Sequence, residues 1–108
     1  MIEWMGTRRS DVLERSLLAL RERETILRAK GILHAAIFGS VARGDDGADS
    51  DVDVLVELAR EARVGTSEML QIERDLGSAL GRKVEVVSRG GLKSPKHDHV
   101  IAEMVPAF

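Results

Sequence analysis

An apolar run, Leu33-His34-Ala35-Ala36-Ile37-Phe38, stops abruptly at Gly39-Ser40. After the ten residues Val41 to Ser50, a second run opens on two acids, Asp51-Val52-Asp53-Val54-Leu55-Val56. Short apolar runs bounded by glycine and turn residues predict strands, so polar chemistry is set where two strands meet. Strand side chains alternate, which puts Asp51 and Asp53 on one face with α-carbons about 6.6 Å apart and Val52, Val54 and Val56 on the other. A third strand is predicted over Lys83-Val84-Glu85-Val86-Val87. There Val84 and Val86 share one face and Glu85 lies with Val87 on the opposite one, an unusual place for a carboxylate unless that face is a site.

The remaining elements support this junction. From Ser10 or Asp11 the chain runs without glycine or proline to Lys30, with Leu13, Leu17, Leu20 and Leu27 at helical spacing. This predicts one long amphipathic helix, bent near Glu22 and stopped by Gly31, with Arg21-Glu22-Arg23-Glu24 as a solvated face. Gly39 to Gly44 is long enough for a single helical turn, and Asp45, Asp46 and Asp49 read as a solubilising loop. Thr66 or Ser67 is expected to cap a helix carrying Met69, Ile72, Leu76 and Leu80 as far as Gly81. Ser94-Pro95 is expected to open a last helix holding Val100, Ile101, Met104 and Val105. His34 reads as a structural residue entering its strand. His97 and His99 lie two apart, which on a helix separates them too far to share a metal.

At 108 residues the chain is expected to form one domain over 1–108, with 1–9, including Arg8 and Arg9, as a flexible arm. A formal charge of −2 gives no footprint for duplex nucleic acid, and the absence of cysteine excludes disulfides and thiolate metal sites. No apolar run approaches the roughly 20 residues a membrane helix needs, and the N-terminus has no signal-peptide pattern. A cytoplasmic protein without membrane contact is expected.

Two carboxylates held close together in a strand repel unless a cation or a proton offsets them. Magnesium takes a few carboxylates together with substrate phosphates. Asp51 and Asp53, joined by Glu85 from a neighbouring strand, can therefore hold two ions about 4 Å apart, the arrangement used in phosphoryl and nucleotidyl transfer. Gly39-Ser40 supplies the other half. Glycine lets backbone approach a phosphate closely, Ser40 adds a hydroxyl, and Arg43 adds a positive charge.

Gly-Ser, ten residues, then Asp-x-Asp resembles the signature of the minimal nucleotidyltransferases of the DNA polymerase beta superfamily. The wording Phe-Gly-Ser-Val-Ala-Arg-Gly and Ser-Asp-Val-Asp-Val-Leu-Val is similar too, as are Ala29-Lys30-Gly31-Ile32 and Gly81-Arg82-Lys83-Val84-Glu85-Val86-Val87. The likeness spans roughly residues 13 to 105. It implies an α/β (α+β) nucleotidyltransferase fold, with a small mixed sheet of three strands or slightly more flanked by helices. It further implies Asp51, Asp53 and Glu85 as catalytic and metal-binding residues for Mg2+, with Gly39, Ser40, Arg43 and Ser50 contacting ATP. Glu85 stands where the family usually has the aspartate of Val-Asp-Leu, and is one methylene longer. Members are commonly antitoxins that transfer AMP from ATP to a tyrosine hydroxyl of a partner HEPN-domain ribonuclease. The resemblance implies that partner here, in a hetero-oligomer, with a homodimer left open. Two alternatives stand beside it: an antitoxin that neutralises by binding alone, and a nucleotidyltransferase acting on a small molecule.

Overall fold

The computed structural model describes residues 11–91 and 98–108. The expected arm over 1–9, the Ser94-Pro95 cap and His97 lie outside the described residues. Element order is α1 (Asp11–Glu22), α2 (Glu24–Ala29), β1 (Ile32–Phe38), α3 (Gly39–Arg43), β2 (Val52–Leu58), α4 (Thr66–Leu80), β3 (Val84–Ser88), a 3-10 turn (Arg89–Gly91), α5 (Asp98–Glu103) and β4 (Val105–Pro106). The strands form one mixed sheet in the order β3-β2-β1-β4. β1 runs antiparallel to both β2 and β4, whereas β2 and β3, joined through α4, are parallel.

α1 and α4 cover one face of this sheet. Val52, Val54 and Val56 of β2, Ala35 and Ile37 of β1, and Val84 and Val86 of β3 are all buried against Leu13, Leu17 and Leu20 of α1 and Ile72, Leu76 and Leu80 of α4. The register of β1 shifts between Ile32 and His34. A bulge of this kind inserts one residue and re-aims its neighbours, so Ile32 enters the core while His34, two positions on, stays exposed.

Four local expectations are corrected. The first helix breaks at Arg23, which lies between α1 and α2. Arg21 and Glu22 are exposed as expected, but the arginines also act as anchors: Arg21 Nε donates to the Ala107 carbonyl at 3.0 Å, and Arg23 Nε donates to Asp75 at 2.6 Å. Gly65, one residue ahead of the expected cap, begins α4, its N–H donating to the Glu68 carboxylate at 2.9 Å. The last helix ends at Glu103, and Val105 pairs with Ile37 as part of a fourth strand. Pro106 has no N–H and cannot carry a helix onward. In a two-residue edge strand it is tolerated.

Candidate active site

β1 and β2 lie side by side with opposite directions, so the end of one meets the start of the other. Phe38 is registered against Asp53, and on the far side of β2 Asp53 is registered against Glu85 of β3. Phe38, Asp53 and Glu85 thus form one cross-sheet rung on the face opposite α1 and α4. Asp51 immediately precedes β2 and reaches the same region from just outside the sheet.

Gly39 follows Phe38 at φ 76° and starts the α3 turn. A residue with a Cβ is strained in that region. Here space excludes it as well, because a Cβ on residue 39 would run into the Asp53 carboxylate. The glycine is required because the chain passes directly over an acid. Val41, two residues on, is fully buried and fixes the turn to the core.

The Asp53 carboxyl is pushed up from its ordinary value. Burial is the main cause, the nearby carboxylates Glu85 and Asp51 add to it, and Arg43 acts in the opposite sense. A half-buried acid facing two others has a deficit of positive charge, and an all-oxygen donor set of this kind suits a hard divalent cation. Among the described residues no three His, Cys, Asp or Glu side chains form a ready-made metal cage. Magnesium sites are ordinarily completed by water and phosphate oxygens rather than by protein alone.

Arg43 is already engaged, with Nε donating to Asp45 at 3.1 Å and Nη1 to Glu103 at 3.0 Å. These partners raise its pKa, the Asp45 hydrogen bond foremost. The Ser50 hydroxyl accepts the Gly47 N–H at 2.8 Å, closing the loop that leads into Asp51. Ser40 is half-buried on α3.

Sequence reasoning missed Arg82 as a site residue. Its Nη1 donates to the carbonyls of Gly47 at 3.1 Å and Ser50 at 3.0 Å, and lies 4.0 Å from Asp46. The Asp46 side chain is only 7% exposed, so this acid is packed under Arg82 and is not a solubilising group. Arg82 pins the loop that delivers Asp51. An isolated arginine after a helix-ending glycine carries no local signal for that task.

Comparison with known proteins gives the family and the fold. Residues 19–106 match the nucleotidyltransferase domain family. The protein adenylyltransferase MntA of Thermococcus cleftensis is 34% identical over 98 residues, covering 83% of this chain and 97% of that protein. A solved structure assigned as a minimal nucleotidyltransferase superposes with a TM-score of 0.67 at 32% identity, over 84% of this chain and 92% of the other. A chain from the Shewanella oneidensis complex of a tri-AMPylated HEPN toxin with an MNT antitoxin shares the fold, with a TM-score of 0.57 at 19% identity over 83% and 71% of the two chains. The mixed sheet is that of a nucleotidyltransferase fold, and this chain belongs to the nucleotidyltransferase domain family, among its minimal members.

Proposed function

We propose that this protein is an antitoxin that transfers AMP from ATP to a tyrosine hydroxyl of a partner HEPN ribonuclease. The carrying observation is the rung Phe38–Asp53–Glu85 on the face opposite α1 and α4, with Gly39 passing over Asp53. The likeness to a protein adenylyltransferase supports a protein acceptor, and the tri-AMPylated toxin in the Shewanella complex supports a HEPN partner.

In this reading Gly39 and Ser40 bind the triphosphate, with backbone close to the phosphates and the Ser40 hydroxyl as a further donor. Asp51, Asp53 and Glu85 would hold Mg2+, which when bound neutralises phosphate charge and favours deprotonation of the attacking hydroxyl. Glu85, exposed at the outer end of the rung, would accept the proton of the attacking hydroxyl in this reading. Arg43 lends positive charge near Asp53. Ser50 and Arg82 keep the loop before Asp51 closed, so the acid is delivered in one position. Catalysis is then mainly positioning and charge neutralisation, as in other phosphoryl transfers.

The test is to incubate the chain with its HEPN partner, magnesium and ATP, and to weigh both proteins by intact mass spectrometry. One or more added AMP units on the partner, lost with Asp51→Ala or Asp53→Ala while circular dichroism stays native, is the expected result. A stable complex with no mass gain would instead identify an antitoxin that acts by binding.

A further inference from the structure

Two acids share the Arg43 guanidinium. Asp45 accepts from Nε at 3.1 Å and Glu103 from Nη1 at 3.0 Å, which leaves Nη2 without an acceptor among the described residues. The two acids differ in origin. Asp45 lies two residues along the same turn, so it fixes the guanidinium only relative to that turn. Glu103 comes from the end of α5, 60 residues away in sequence. It is also the less exposed partner, at 25% against 61% for Asp45.

The chain after Glu103 explains how it is held there. Val105 pairs with Ile37 of β1, two residues ahead of the Gly39-Ser40 turn. The Ala107 N–H donates to the Ala35 carbonyl at 2.8 Å, and the Ala107 carbonyl accepts Arg21 Nε at 3.0 Å. Arg28 covers the Phe108 ring, its guanidinium carbon 5.1 Å from the centroid. The tail is thus tied to β1, α1 and α2, and α5 touches both α3 and β1.

We propose that Glu103 is a positioning residue for nucleotide binding, holding the Arg43 guanidinium at the end of the Gly39–Arg43 turn so that the free Nη2 is presented to the triphosphate. The inference rests on the nucleotidyl-transfer reading above. Place is the first argument. Arg43 ends the turn that Gly39 and Ser40 begin, and it lies close enough to Asp53 to oppose the upward push on that carboxyl. Donor geometry is the second. A guanidinium offers five N–H donors in a rigid fork, so a phosphate oxygen can take Nη2 while Asp45 and Glu103 keep their bonds. Energetics is the third. An ion pair this exposed stabilises a fold little, whereas a long side chain fixed in advance has less freedom to lose when ligand binds. Glu103 is neutralised by its partner, so it repels the phosphates little.

The experiment is calorimetric titration of the full chain with magnesium and an ATP analogue whose α–β bridge cannot be cleaved, beside thermal scans without ligand. Arg43→Ala is expected to weaken binding about tenfold, the loss of a charge-assisted hydrogen bond. Glu103→Ala is expected to weaken it about fivefold, within the range of contacting residues, with an unchanged melting temperature. Added to Arg43→Ala, it should weaken binding no further. Glu103→Gln, which keeps the shape and an acceptor oxygen, should lose less than Glu103→Ala. A Glu103→Ala effect that persists in full without Arg43 would overturn the assignment, since Glu103 would then act on structure at large. Equal or tighter binding by Glu103→Ala would overturn it too, with nucleotide binding itself intact. A wild-type chain that fails to bind the analogue would bring down the nucleotidyl-transfer reading as well.

Discussion

Among single residues, Asp53 is the acid of the site whose carboxyl the surroundings push up. Its carboxyl is held above the ordinary range by burial and by Glu85 and Asp51. A raised carboxyl favours the folded state while it is protonated. That contribution is complete below the unfolded-state value and is lost as pH rises through the folded-state one, so at neutral pH ionised Asp53 is a cost to the fold. Asp53→Asn is therefore expected to raise the melting temperature of the metal-free protein at pH 7, to narrow that gain as the pH falls toward the ordinary carboxyl range, and to abolish AMP transfer. Magnesium with ATP should stabilise the wild type and leave the variant unmoved in the same thermal scan. Gly39 is the second sensitive residue. Gly39→Ala must adopt a left-handed conformation costing about 1–2 kcal/mol and also displace the Asp53 carboxylate. Urea unfolding should report the stability loss, and nucleotide binding should fail in the same variant.

The elements show how the site is held in register. Arg82 joins the end of α4 to the loop before β2 through two carbonyls and the packed Asp46. Arg82→Ala removes charge-assisted hydrogen bonds worth about 1.5–3 kcal/mol and leaves Asp46 without its cation. The expected outcome is a loss of about 2 kcal/mol in denaturant unfolding, with a raised magnesium requirement for transfer because Asp51 is no longer fixed. Arg82→Lys should recover stability better than activity, since a single ammonium cannot reproduce the directed guanidinium contacts. At this scale the sequence was most readable where period and punctuation coincide. β1, β2, α4 and β3 follow from alternating or helical apolar spacing between glycines, and alternation puts Asp53 and Glu85 each on the face away from the valines, while their register comes from the parallel pairing of β2 with β3. It was least readable where a long-range contact decides. The break at Arg23 accompanies its bond to Asp75, 52 residues away. β4 exists because Val105 and Pro106 find β1 across the sheet, which no local pattern announces. Arg82 and Asp46 belong to the same class, a polar pair whose meaning lies in the loop between two strands.

For the whole molecule, the division of labour is between the two sides of one sheet. α1 and α4 bury the side of Val52, Val54 and Val56, and the core is concentrated there. Leu17→Ala, in a fully buried position, should cost about 2–5 kcal/mol by chemical denaturation, while the little protein that remains folded at working temperature keeps its transfer rate per folded molecule. The other side carries the rung of Phe38, Asp53 and Glu85. Because β2 crosses the centre of the sheet and alternates sides at every residue, the two duties are interleaved in the linear text of the gene. A library carrying every single substitution from Val52 to Leu58, sorted separately for abundance and for rescue of cells from the toxin, should separate the two duties: abundance dipping at the buried Val52, Val54, Leu55 and Val56, and rescue dipping additionally at Asp53.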